Sequence, residues 1–283
     1  MTNVYQISPK RKNSIFSRLS LNTTLIILNV VAFIVFTIIV SANLVSINFI
    51  ALNPSEIFQG RHLWTLLTSM FMHSSFFHLF ANMLSLFFVG ALVERIIGRK
   101  RYLWFYLFSG LFAGLVYASL AYFFGGSIIG AKLFGGPETL AVGASGAIFG
   151  LAGLLAVLIP KKKVYLIAGP LFAIIVQSIL NIAIPSSGIN NVLNVFITIY
   201  IFVAIFSMLS FNSSMRKIGI PIEMPFWLLP VVAIVPLVII GLFVELPIGN
   251  SAHFGGLVLG LIYGLILQTR YKNKTKYIRE YFS

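Results

Sequence analysis

Eight stretches of this 283-residue chain are apolar and long enough, or nearly so, to cross a lipid bilayer, and this constrains the fold more than any other feature. A hydrocarbon core about 30 Å thick takes roughly 20 helical residues, within a range of about 17 to 25. The stretches run Leu21–Ser41, Phe76–Val93, Tyr102–Phe124, Leu140–Ile159, Val164–Ile184, Val192–Leu209, Phe226–Val244 and Ile248–Leu267. Charged residues make up 9% of the chain, against about 25% in a soluble domain. The expectation is an all-α polytopic integral membrane protein of eight spans. The first stretch follows basic residues as a secretion signal would, but its 21 residues exceed the 7 to 15 of a cleavable apolar region, so it reads as an anchor.

A formal charge of +14 would suggest a polyanion ligand in a soluble protein, so the placement of the basic residues decides its meaning. With the N-terminus in the cytoplasm, eighteen of twenty lysines and arginines fall in cytoplasmic segments, leaving Arg61 and Lys132 outside. This is the positive-inside pattern, with both termini cytoplasmic and no nucleic acid implied. The lipid bilayer is the expected surrounding, and the prokaryotic plasma membrane suits such a chain. Between the first two spans, Ala42 to Ser75 carries Trp64, Phe71 and Met72 and reads as an amphipathic segment in the outer interface.

The chain has no cysteine, which excludes disulfides, thiolate metal sites and cysteine nucleophiles. It also has no aspartate, which excludes a two-aspartate protease and a Ser-His-Asp triad. HExxH is missing, His73 and His78 are not one turn apart, and Phe134-Gly135-Gly136-Pro137 lacks the lysine of a phosphate loop. No metal and no cofactor is expected.

Polar groups inside apolar spans are costly and usually face a cavity. His78 and Asn82, four residues apart, share one face of the second span near its outer end. Ser145 lies five residues into the fourth span, about 7 or 8 Å below its outer end at about 1.5 Å per residue. His253 enters the last span from the same side. Three helices thus bring a serine, two histidines and an asparagine to one depth. An imidazole can take the proton of a serine hydroxyl without a third member. An asparagine amide, a histidine N–H and the serine's own backbone N–H can hold the oxyanion that follows. Ser145 stands in Gly143-Ala144-Ser145-Gly146, near a helix N-terminus where backbone donors are free.

Three motifs in order resemble the rhomboid proteases: FMHSSFFHLFANM with His73, His78 and Asn82, then GASG around Ser145, then AHFGG around His253. Glu94 and Gly98 in VERIIG extend the likeness, which covers about residues 51–160 and 220–268. The resemblance implies Ser145 as nucleophile and His253 as base. His78 and Asn82 with the Ser145 backbone become oxyanion donors, and Gly143 and Phe149 line the substrate site. It also implies transmembrane protein substrates cut near the outer membrane face through an acyl-enzyme. Two positions depart from the family pattern: Phe149 stands where many relatives carry a tyrosine stacked on the base, and Thr65 follows Trp64 where many carry arginine. Arg61 is a candidate substitute for the latter.

A six-helix rhomboid-like core needs one span between the serine and histidine motifs, whereas this chain has three. The organisation expected is a basic cytoplasmic N-terminus (1–20), a transmembrane domain (21–268) and a basic tail (269–283). Within the domain, core segments 21–160 and 220–268 flank an inserted helix pair, 164–209, which reads as packing or substrate docking. Gly256, Gly260 and Gly264 recur every four residues and would bring His253 against Gly146, Gly150 and Gly153 of the serine helix. Pro230 and Pro236 should bend the seventh span, a candidate lateral gate. His73 reads as structural support for the external loop, and His62 as an interfacial residue. Two rivals are weighed. A catalytically inactive, client-binding relative is expected to lose Ser145 or His253, and both are present. A transporter needs a polar path through the membrane, and these residues stop in its outer half.

Overall fold

The computed structural model describes residues 19–185, 187–208, 210–243 and 249–282. The basic residues Lys10, Arg11, Lys12 and Arg18 lie outside the described residues, as do Leu209, Val244 and Ile248 at the edges of three expected spans. Each of the eight apolar stretches contains a helix. These are α1 (Leu21–Ser41), α2 (Phe76–Ile97), α3 (Arg99–Phe124), α4 (Ser145–Leu158), α5 (Ala168–Ala183), α6 (Gly188–Ser207), α7 (Phe226–Gly241) and α8 (Asn250–Arg270). Among the described residues, α1, α2, α3, α6 and α8 are long and apolar enough to cross a membrane, while α4, α5 and α7 are shorter. A basic helix, α9 (Lys272–Phe282), follows.

The fold is organised around α4. Its sequence is apolar all round, as suits a helix enclosed by others, and most of its residues are buried. The outer helices turn apolar side chains outward, among them Ile34 and Ile38 of α1 and Phe108 and Phe123 of α3. Such surfaces are stable against lipid and not against water.

Two expectations are corrected. The fourth stretch is not helical from Leu140: Gly143 has φ +121°, which no helix accommodates, and Ala141 forms a bridge with Leu52 instead. Ser145 is therefore the first residue of its helix and not five residues inside it. The all-α expectation also fails at the fifth stretch, where Val164 to Ile167 belong to a strand, β1 (Lys163–Ile167). It pairs antiparallel with β2 (Pro221–Pro225), placing Tyr165 opposite Glu223. The β-branched and aromatic residues of KVYLI favour this, and Glu223 binds Lys163 Nζ at 2.6 Å and the Tyr165 hydroxyl at 2.9 Å. Those two hydrogen bonds, Lys163 first, hold the Glu223 carboxyl below the usual carboxylate range. The sheet closes the neck of the segment that carries α5 and α6, and β2 runs directly into α7.

The basic clusters gather at one end of the molecule. Glu94 accepts the N–H groups of Leu21 and Asn22 at 2.9 and 2.8 Å, capping α1, while Arg99 donates to the Leu19 carbonyl. Arg101 reaches the Tyr271 hydroxyl, and Arg279 of α9 donates to the Val157 carbonyl at the C-terminal end of α4. Bonds from charged groups to otherwise unpaired helix-end groups contribute on the order of 1.5 to 3 kcal/mol each. Glu94 thus has a structural role at this end, far from Ser145.

At the opposite end, the segment between α1 and α2 is tied to the loop that leads into α4. The Ser55 N–H donates to the Pro137 carbonyl at 3.0 Å, and Asn53 Nδ2 donates to Glu138 at 3.1 Å. Trp64 donates from its indole N–H to the Phe49 carbonyl. Pro230 falls in the first turn of the α-helical part of α7, where its missing N–H costs nothing, so only Pro236 interrupts the helix interior.

Candidate active site

Ser145 opens α4, and His253 lies in the first turn of α8. The two helices approach closely because a methyl group on Gly256 would overlap the Gly146 carbonyl, and one on Gly260 would overlap the Gly150 carbonyl. At this separation His253 Nε2 stands 2.8 Å from Ser145 Oγ. The hydroxyl can donate to that nitrogen only if the ring proton sits on Nδ1. Nδ1 has no hydrogen-bond partner among the described residues. Phe149, one turn after the serine, lies flat on the imidazole, with ring centroids 4.3 Å apart and planes 20° from parallel.

The second helix supplies the facing wall. Ser75 caps it by accepting the His78 N–H, and Ser74 Oγ lies 3.0 Å from His78 Nδ1. A hydroxyl donated to Nδ1 leaves the proton on His78 Nε2. Asn82 is buried one turn later, with one amide hydrogen on the His78 carbonyl and a second left over. Gly143 brings these groups to the serine loop: its N–H donates to the Ser69 carbonyl at 2.8 Å. A methyl group there would lie 2.9 Å from His78 Nε2 and 3.9 Å from Asn82 Nδ2. Ala144 supplies no side-chain cap to α4, and the helix's own bonding begins at the Ile148 N–H. The first backbone N–H groups of α4, Ser145 included, remain as donors.

All six residues, Ser145, His253, His78, Asn82, Gly143 and Phe149, line one cavity of about 1040 Å³. His73 is buried edge-on between Phe33 of α1 and His78, a supporting position. Arg61 is not among the cavity-lining residues, and Thr65 spends its hydroxyl on the His62 carbonyl. Nothing in the sequence spacing signals that His62 pairs with Glu56 and packs between Phe49 and Trp64, or that the cavity extends to α5. Among the described residues no group of three or more histidines or glutamates could hold a metal ion.

The family model described as Rhomboid domain matches residues 60–199. These residues, just under half of the chain, carry a Rhomboid domain. The matched segment contains five of the six cavity residues and ends within α6, before His253. "RHOMBOID-like protein 1" of Arabidopsis thaliana is 36% identical over 116 residues, 41% of this chain and 26% of that protein. "Putative rhomboid protease YdcA" of Bacillus subtilis is 34% identical over 91 residues, 32% of this chain and 39% of its own length. "Rhomboid protease AarA" of Providencia stuartii is 31% identical over 156 residues, 53% of this chain and 54% of its own. This chain therefore spans about a quarter to a half of the relatives it matches.

Proposed function

We propose that this chain is an intramembrane serine endopeptidase acting on transmembrane protein substrates. The observation that carries the reading is the 2.8 Å contact between Ser145 Oγ and His253 Nε2. Ser145 Oγ attacks the scissile carbonyl carbon while His253 Nε2 takes its proton. The carbonyl oxygen becomes an oxyanion facing the Ser145 N–H, His78 Nε2–H and the free amide hydrogen of Asn82. Collapse breaks the C–N bond, and His253 returns the proton to the leaving amine. Water then releases the acyl group from Ser145 by the same steps. The chemistry draws on no metal or organic cofactor.

The same proposal places eight helices in the bilayer as a six-helix core, 21–160 and 220–268, with α5 and α6 as an inserted pair. The basic end faces the cytoplasm, with segments 1–20 and 269–283 on that side, and the serine lies toward the outer face. Arg95, Arg99 and Arg270 in the terminal turns of α2, α3 and α8, with Lys161 just past α4, support this orientation.

The test is labelling of the purified protein with a fluorescent fluorophosphonate, beside Ser145→Ala and His253→Ala. Labelling of the unaltered protein alone is expected. A folded protein that takes up no label would favour a catalytically inactive, client-binding rhomboid.

A further inference from the structure

The cavity at Ser145 is larger than a dyad requires, and part of its wall comes from the segment between β1 and β2. Three helices each turn one stripe into it. From α2 come Phe77, Ala81 and Ser85, and from α7 come Ala233, Leu237 and Gly241, each set spaced four residues apart. From α5 come Pro170, Leu171 and Ile174, preceded by Ile167 of β1, at spacings of three and four. Residues so spaced share one helical face, so the three stripes converge on a common space. Apart from Ser85, these side chains offer no hydrogen-bonding group.

The segment is fixed to both of the other walls. It packs on α2 through a cluster of Ala173, Ile201 and Ile205 with Phe77, Phe80 and Leu84, and Phe202 lies on Phe76 and Phe80. Through the β1–β2 sheet it is joined to the start of α7, where the Phe226 N–H donates to the Lys162 carbonyl. Either side of the space, Phe172 of α5 and Val231 and Val235 of α7 are exposed. The slot therefore opens between surfaces suited to lipid.

A slot between three apolar helix faces takes another helix, because ridges of side chains pack into the grooves of a neighbour. A helix about 10 Å across rising about 1.5 Å per residue fills roughly 120 Å³ per residue, so a cavity of about 1040 Å³ holds two to three turns. We infer that α5 forms the third wall of a docking slot for a single apolar transmembrane helix, with Leu171 and Ile174 selecting by shape which helix is admitted to Ser145. A soluble peptide would leave its backbone groups unpaired against this wall, whereas a helix pairs its own. The inference rests on the protease reading for what happens to the docked helix, and not for the docking itself.

The test uses the full chain in liposomes with a photo-crosslinking p-benzoylphenylalanine at position 171, 174 or 172. The probe is a biotinylated single-span peptide of about 20 alternating leucines and alanines flanked by lysines, a length set by the bilayer. Each variant is first checked for fluorophosphonate labelling. Crosslinking from 171 and 174 several-fold above that from 172 is expected, since Phe172 is 65% exposed and turned away from the slot. Yields at 171 and 174 no higher than at 172, or no crosslinking at all, would overturn the assignment. Position-dependent crosslinking without fluorophosphonate labelling would retain the slot and remove the protease reading.

Discussion

Phe149 and His253 are stacked, with ring centroids 4.3 Å apart and planes within 20° of parallel, so the phenyl ring sets the plane in which the imidazole meets Ser145. The stack needs a flat ring and not a hydroxyl. Phe149→Tyr is therefore expected to keep turnover near the original level. Phe149→Ala should lower kcat, because an aromatic pair contributes about 0.5 to 1.5 kcal/mol, equivalent to roughly two- to tenfold in rate. Steady-state kinetics on a cleavable transmembrane substrate decide this. An alanine variant with unchanged kcat would mean the ring is held by other contacts.

The contact between α4 and α8 is set by backbone and not by side chains, which makes it intolerant of one carbon atom. A methyl group at Gly256 would meet the Gly146 carbonyl, and neither backbone has a rotamer to yield. Gly256→Ala should therefore separate the helices and lengthen the Ser145–His253 contact. Loss of fluorophosphonate labelling together with a lower melting temperature is expected. Gly249→Ala serves as control, because among the described residues an added methyl there meets just the Ala252 side chain at 3.8 Å, an ordinary contact.

The proposed oxyanion donors should be less critical than the nucleophile. Removing one fixed donor typically costs on the order of 10²- to 10³-fold in kcat. Asn82→Ala and His78→Ala are expected to fall in or below that range, measured as kcat with the Ser145→Ala background subtracted. Gly143→Ala should cost at least as much, since its φ of +121° is strained for alanine and the methyl would press on the His78 ring at 2.8 Å. Full activity in Asn82→Ala would require a different set of donors.

The parts of this molecule legible in the sequence were those governed by periodicity and by the cost of polar groups in lipid. The limits of α1 follow from apolar length alone, and the glycine spacing in α8 anticipates its contact with α4. His78, Asn82, Ser145 and His253 stand out because each is a polar group in an apolar helix, and the cavity that joins them accounts for that. What could not be read was set by contacts remote in sequence. The unwinding before Ser145 depends on Ala141 finding Leu52, and β1 depends on a strand more than fifty residues away. KVYLI is as apolar as a helix start, and only its partner at Pro221–Pro225 decides the outcome.

The tie between the two loops at the serine end is expected to depend on pH through Glu138. Hydrogen bonds from Ser55 and Asn53 hold its carboxyl below the ordinary value of 4.5. The charged form is thus favoured by folding, so this contribution is present above about pH 4.5 and is lost as pH falls through the lower folded value. The melting temperature of Glu138→Gln should fall below that of the original protein at neutral pH, with the two converging in acid. A constant difference across that range would show that Glu138 acts through shape alone.

Entry of a substrate helix into the slot is expected to require movement of α7. Ala81 of α2 and Leu237 of α7 line opposite walls of the cavity, and Pro236 interrupts α7 beside Leu237. If α7 must swing for entry, bridging the two walls should stop cleavage without touching the dyad. The chain has no cysteine, so Ala81→Cys with Leu237→Cys gives a unique pair for a bifunctional thiol reagent. The bridged protein is expected to lose cleavage of a transmembrane substrate, to keep fluorophosphonate labelling of Ser145, and to recover when a reducible bridge is cut. Undiminished turnover with the bridge in place would make the proline a static kink and move entry to another side of the slot. Loss of labelling along with cleavage would mean the bridge distorts the dyad, and α7 would then act as a support for His253 and not as a gate.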